Sequence, residues 1–337
     1  MVTTRPKMAY APQEVGTLAL DEIQRCIAQA GLGIPTPWAR VNTRINPLRP
    51  GKLAVILAYT SNYKTGLMTF WSRWLAEKLR EASRGEEIVV YVSWEDTVED
   101  MGIYDLANIA RIDMDTITGG KLSDGHMDQL KAAAFSRGAL PLWVVGNSLA
   151  QRRHVKRMTM TETEDVLGWL GDKMGVSIRA VFLDYVNKIM PEGTGAWGRG
   201  REGNRRMDIM ENTFRAESLG LSIGAPVIMG AQAGRASVDA NWKAPMPWHA
   251  QETSALEQFS SLMISLWLPA KTENVSSPTD VSTWLRTPAG GQLQVTDNLM
   301  IMSLLKQKRG PAGGFWPMYV DYESNEIWPM ETDIMPE

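Results

Sequence analysis

The sequence predicts an α/β domain, a mostly parallel sheet with helices on both faces and an antiparallel extension near its C-terminus. Three observations carry this. Continuous apolar runs of strand length recur from Gly51 onward, segments of helical period fall between them, and the last three runs lie close together in the chain.

In chain order, residues 1–15 lack an apolar period and hold two prolines, which predicts an extended arm. Residues 16–30 (GTLALDEIQRCIAQA) place Leu18, Leu20, Ile23, Cys26 and Ile27 mostly on one helical stripe, with Gly31 as its cap. A lone helix of this length cannot bury such a stripe, so it docks on the main domain or on a neighbouring subunit. LAVILA (53–58) reads as a strand and 64–83 as the helix after it. IVVYVS (88–93), LWVVG (142–146), AVFLD (180–184) and PVIMG (226–230) are four more strands. Their unbroken apolar character suits strands covered on both faces. Helical patterns occupy about 97–113, 124–138, 161–174 and 204–219. Strands at 262–268, 299–305 and 315–320 supply the antiparallel extension. Two segments read as loops: the Gly- and Arg-rich stretch 191–206, and a polar stretch at 271–296 carrying Pro278 and Pro288. No internal repeat is present.

Composition narrows the class. The 337 residues are 44% hydrophobic and 22% charged with a net charge of −3, ordinary for a globular protein and too balanced for a nucleic-acid coat. The single cysteine, Cys26, permits no internal disulfide, which fits a reducing cytoplasm. His126, His154 and His249 are too scattered to build a zinc site. The N-terminus has no signal-peptide core, and no apolar run approaches the ~20 residues of a membrane span. The 13 tryptophans and 20 methionines read as core filler and interface surface.

The segment Ala58-Tyr59-Thr60-Ser61-Asn62-Tyr63-Lys64-Thr65 joins the first strand to its helix. A phosphate loop, G-x-x-x-x-G-K-[ST], occupies this context. Backbone N–H groups wrap the phosphates, the lysine bridges them, and the hydroxyl holds Mg²⁺. Lys64 and Thr65 match; Ala58 and Tyr63 stand where the glycines belong. Tyr63 is compatible with such a loop only with its backbone in the ordinary helical region and its ring turned outward. A plain strand–loop–helix turn is the other reading.

Further candidates stand at strand ends, where ligands bind in open α/β sheets. Asp184 closes AVFLD as a Walker-B-like carboxylate for the Mg²⁺ shell. Glu95 follows VYVS as a candidate base for activating water, while Asp96 fits better as a helix N-cap. Gln232 ends PVIMGAQ, with Arg235 behind it; it senses a γ-phosphate or merely satisfies a loop carbonyl.

These segments together resemble one family, the C-terminal RecA-like ATPase domain of DnaB-type ring helicases. GIPTPWARVNTRINPLRPGKLAVILAYTSNYKTG (33–66) is similar to that domain's entry into its phosphate loop. VYVSWED resembles its S-L-E strand end, LDYVNKI (183–189) its V-D-Y-L-Q-L, MGAQAGR its S-Q-L-N-R, SALEQFSSLMISLW (254–267) its A-I-E-Q-D-A-D, and LLKQKRGPAGG (304–314) its K-Q-R-N-G-P-T-G. The six stand in the family's order across residues 33–320.

The resemblance implies an ATP- and Mg²⁺-dependent helicase on single-stranded DNA in replication, working as a homo-oligomer, a hexamer, with other replication proteins as partners. Ser61, Asn62, Tyr63, Lys64 and Thr65 would cradle phosphate, with Thr65 and Asp184 at the metal, Glu95 at the attacking water and Gln232 at the γ-phosphate. Lys306, Lys308 and Arg309 would reach a neighbouring subunit's nucleotide. Lys308 stands at the finger position and Arg309 is displaced by one residue, a change that is not conservative. Gln251-Glu252-Thr253 replaces the family's R-E-S and lacks its basic residue. Trp197, Arg199, Arg201, Arg205 and Arg206 fall where the family's loops face the central channel, and they offer cations and an aromatic platform for single-stranded DNA. The basic run 152–157 is a second candidate, or a solvated helix face. Residues 33–330 would form the ATPase domain, and 1–32 an arm and linker helix packing on the next subunit, without the family's N-terminal domain.

A different class stays open: a non-hydrolysing RecA-like assembly protein forming a ring or filament with nucleic acid. RecA-type recombinases and circadian-clock-type ATPases share the expected fold but match the GIPT and KQKRGP segments less well.

Overall fold

The computed structural model describes residues 10–28, 33–150, 158–190, 205–234, 242–250, 254–272, 284–288 and 290–330. The strands are β1 (Leu53–Ala58), β2 (Glu87–Ser93), β3 (Leu142–Val145), β4 (Ser177–Asp184), β5 (Val227–Gln232), β6 (Leu262–Trp267), β7 (Trp284–Arg286), β8 (Gln292–Gln294), β9 (Leu299–Gln307), β10 (Phe315–Asp321) and β11 (Glu326–Pro329). Nine of them form one sheet in the order β11-β10-β9-β6-β1-β5-β4-β2-β3. The six from β6 to β3 are parallel and the other three antiparallel.

The helices are α1 (Pro12–Ala28), α2 (Ala39–Asn42), α3 (Lys64–Glu81), α4 (Val98–Ala110), α5 (Met114–Thr118), α6 (Asp124–Gly138), α7 (Met160–Met174), α8 (Arg205–Ile223), α9 (Ala255–Phe259) and α10 (Pro269–Thr272). Capping boxes start three of the long ones. Thr97 pairs with Asp100, Ser123 with His126 and Thr159 with Glu162, each satisfying N–H groups that the helix cannot bond itself.

The continuous apolar runs follow from burial on both faces. Along β1, Ala54, Ile56 and Ala58 face one core with Trp71 and Phe182, while Leu53, Val55 and Leu57 face a second with Leu167 and Leu219. All six residues are buried. A strand in this setting cannot alternate apolar with polar residues.

Several expectations change. Helix α1 begins at Pro12, so the arm is shorter than predicted; proline suits a first helical turn, whose N–H groups have no intrahelical partner. Leu18, Leu20, Ile23 and Ile27 on it are each half exposed or more. The polar stretch 271–296 is not only a loop, because β7 and β8 form a hairpin there that buries Leu285 and Leu293. Asp96 does not cap α4; Thr97 does. Among the described residues no helix is long and apolar enough to cross a membrane.

Candidate functional site

Strand β1 lies between β5 and β6, and its C-terminal end opens into the loop that starts α3. The loop is folded tightly. Asn62 N–H donates to the Tyr59 carbonyl at 3.1 Å, and the buried Asn62 side chain accepts from Leu268 N–H at 2.7 Å. Lys271 Nζ donates to the Ser61 carbonyl at 2.9 Å. Burial pushes the Tyr59 hydroxyl up to about 12, and it donates to the Lys243 carbonyl at 2.9 Å.

Tyr63 departs from expectation. Its backbone is left-handed (φ 60°, ψ 26°), as is that of Ser61 (φ 61°). Its ring is not turned out to solvent. It meets Tyr322 edge-on at 5.2 Å between centroids, and its hydroxyl donates to Asn325 Oδ1 at 2.5 Å. No side chain caps α3, and the N–H groups of Tyr63, Lys64, Thr65 and Gly66 find no acceptor among the described residues. Four donors at the positive end of an 18-residue helix are an arrangement that favours negative charge.

Beside this helix end lies Asp184, buried at the end of β4. Lys64 Nζ donates to its Oδ1 at 2.5 Å, Thr65 Oγ1 to its Oδ2 at 2.6 Å, and the buried Tyr91 hydroxyl to the same Oδ2 at 2.8 Å. Burial raises the Tyr91 hydroxyl well above its ordinary value, with the Asp184 charge adding to the effect, so it stays a donor. Lys64 also sits 3.9 Å above the Tyr185 ring. Two contributors escaped sequence reasoning. Tyr91 is one. Gly230 is the other: a Cβ there would come within 2.9 Å of Lys64 Cδ and 3.1 Å of Asp184 Oδ1. Neither has a local signal, since each acts across neighbouring strands.

Glu95 and Gln232 join the same cavity, of about 390 Å³, which runs from the loop to Tyr104 and Tyr322. Glu95 faces Lys188 at 3.7 Å, with both side chains partly exposed. Gln232 Nε2 donates to Thr60 Oγ1 at 2.6 Å, and its N–H to Asn187 Oδ1 at 3.2 Å. Asp96 lines the cavity as well; burial first, then the Asp184, Glu95 and Asp100 charges, push its carboxyl up to about 6.

Lys306, Lys308 and Arg309 are not brought together with these residues. They lie at the C-terminal end of β9, where Gln307 pairs with Leu262 and Lys308 N–H donates to the Ser261 carbonyl. That is the opposite end of the sheet, roughly 13 Å of strand from the loop at ~3.3 Å per residue. Lys306 donates to the Glu257 carbonyl; burial lowers its pKa, and Lys308 adds to the effect. Arg205 and Arg206 open α8 and are exposed. Trp197, Arg199, Arg201, Arg235, the run 152–157 and the segment 251–253 lie outside the described residues.

A central β1 followed by a lysine-bearing loop and helix, with a buried carboxylate on β4, defines a RecA-like nucleotide-site fold. The chain belongs to the DnaB-like helicase C-terminal domain family, whose model matches residues 33–320. The fold is similar to that of a structure described as a DnaB-like replicative helicase and its interactions with primase (TM-score 0.70, 14% identity, 96% of this chain and 68% of that one). It is similar also to a second structure, described as an ATPase domain (TM-score 0.70, 14% identity, 96% of this chain and 100% of that one). No curated protein sequence matches the chain. Family membership makes it a helicase-type domain.

Proposed function

We propose that the chain is the ATP-hydrolysing motor of a ring-forming helicase that moves along single-stranded DNA in the cytoplasm. One observation carries the reading: four N–H groups at the start of α3, without an acceptor among the described residues, stand beside Lys64, Thr65 and the buried Asp184. These donors suit a triphosphate. Thr65 Oγ1 and Asp184, 2.6 Å apart, form the hydroxyl–carboxylate pair that suits Mg²⁺ and its water shell. When bound, the metal would neutralise charge on the phosphate oxygens.

The residues of the chain divide the remaining work. Ser61, Asn62 and Tyr63 shape the loop, and Lys64 leaves Asp184 to meet the phosphates. Glu95 takes a proton from the attacking water; its contact with Lys188 is partly solvated and readily broken. Gln232, tied to Thr60, reports the γ-phosphate to β5. Lys306, Lys308 and Arg309 act on a neighbour's nucleotide, because within one protomer they stand at the far end of the sheet. A closed homo-oligomer, a hexamer, satisfies this geometry, and the exposed stripe of α1 packs on the next subunit. In this reading residues 1–32 are the arm and linker and 33–330 the motor. Trp197, Arg199, Arg201, Arg205 and Arg206 track DNA, and a primase, the partner named for one structural relative, is the first replication protein to try.

The left-handed Tyr63 and the displaced Arg309 favour a second reading, a non-hydrolysing assembly protein. Phosphate release with and without single-stranded DNA, for the parent and Lys64→Ala, separates the two. DNA-stimulated release lost in the variant supports the motor. Equal, negligible release in both supports the assembly protein.

A further inference from the structure

Tyr63 holds a backbone conformation that a Cβ disfavours. Such a residue persists only where its surroundings over-determine it. Here the surroundings are specific. The hydroxyl of Tyr63 donates to Asn325 Oδ1 at 2.5 Å, in the turn between β10 and β11. Asn325 Nδ2 donates to Thr69 Oγ1 at 3.2 Å, and that hydroxyl shares its hydrogen between the Thr65 and Gly66 carbonyls, each at 3.0 Å. The chain of contacts therefore leaves the loop at residue 63 and returns to the first turn of α3 through a residue 262 positions away.

The ring is held as firmly as its hydroxyl. A Cβ at position 66 would lie 2.5 Å from Tyr63 Cε1, so the ring occupies the space that Gly66 leaves empty. Tyr322 closes the other edge, and its own hydroxyl is anchored on the Asp297 carbonyl at 2.8 Å. The turn is braced by Asp321, which accepts from Glu323 and Ser324. Asn325 is itself left-handed (φ 49°), a conformation that asparagine tolerates better than most residues.

We propose that Tyr63 and Asn325 form a clasp that replaces the missing glycine. The β10–β11 turn holds Tyr63 left-handed, and this aims the N–H groups of residues 63–66 at a phosphate. Tyr63 and Asn325 are positioning residues, and the proposal rests on the nucleotide-binding reading above. Glycine at position 63 would take the conformation unaided. Tyrosine needs the turn.

The test is a double-mutant cycle read by calorimetric titration with Mg-ADP, using the parent, Asn325→Ala, Tyr63→Gly and the double variant. The clasp predicts that Asn325→Ala weakens binding about 5–10-fold beside Tyr63, the effect of one part-buried hydrogen bond, and less than about 2-fold beside glycine. A purely structural Asn325 would weaken binding equally in both backgrounds, and that result overturns the clasp. No loss in either background does so as well. Tyr63→Phe and Asn325→Ala, read by thermal unfolding without nucleotide, should be non-additive; additive shifts also overturn it. If the parent fails to bind Mg-ADP while that coupling is present, the nucleotide reading is what fails, and the clasp's phosphate role with it.

Discussion

Lys64 Nζ lies 2.5 Å from Asp184 Oδ1, so the cation at the start of α3 is paired with a buried carboxylate at the end of β4. Asp184 is 1% exposed and accepts from three donors, Lys64, Thr65 and Tyr91. In the proposed nucleotide-binding reading, a triphosphate in the loop would draw Lys64 from Asp184, and Thr65 and Asp184 would hold a cation.

Lys64→Ala should therefore act in two ways. Nucleotide hydrolysis falls by at least ~100-fold through loss of transition-state charge stabilisation. The nucleotide-free fold also loses about 3 kcal/mol, because the buried carboxylate loses its counter-charge. Urea unfolding and phosphate release check the two effects separately. Lost activity at unchanged stability would show that the pair is not formed in solution.

Gly230 is the second point of sensitivity. Its missing Cβ leaves room for Lys64 Cδ, Asp184 Oδ1 and Met68 Sδ at 2.9–3.1 Å. Gly230→Ala pushes the lysine and the carboxylate apart, with overpacking of about 1–3 kcal/mol. Affinity for Mg-ADP should fall by roughly 10-fold or more, as a change of about 1.4 kcal/mol already gives that factor. Titration and thermal unfolding of this variant give both values, and wild-type affinity would free Gly230 of any part in the site.

The parallel core was legible because burial on both faces leaves a plain trace, as LAVILA and AVFLD show. The gathering of Lys64, Thr65, Glu95, Asp184 and Gln232 was legible, because each stands at or just past a strand end that the topology brings together. Its inner supports were not. Tyr63 reads as an obstacle because propensity assigns positive φ to glycine, and Asn325, which holds it, is far away in the chain. Tyr91 looks like another apolar strand residue until its hydroxyl meets Asp184. The strands β7 and β8, three residues each, are too short to show a period.

Asp96 gives the site a dependence on pH. Its carboxyl is raised to about 6 from an ordinary value of 3.8, through burial and then the Asp184, Glu95 and Asp100 charges, which Lys64 partly offsets. The folded chain therefore holds a proton that the unfolded chain releases between about pH 4 and pH 6. The stabilisation is fully present below that window and is lost as pH rises through about 6. Asp96→Asn should raise stability near neutral pH and flatten the curve across the window. Thermal unfolding of nucleotide-free protein from about pH 4 to pH 8 measures this, and parallel curves for parent and variant would refute it.

The separation of Lys308 and Arg309 from Lys64 across the sheet makes the proposed composite site testable by mixing. Lys64→Ala and a Lys308→Ala/Arg309→Ala double variant should each be inactive alone, the first lacking its own phosphate lysine and the second its contribution to a neighbour. Randomly mixed in one assembly, about a quarter of the interfaces would pair an intact Lys64 with an intact Lys308 and Arg309. Phosphate release should then reappear, rise with the mixing time needed for subunit exchange, and vanish if the subunits are crosslinked before mixing. If each site works within its own protomer, no proportion of the two inactive proteins restores turnover.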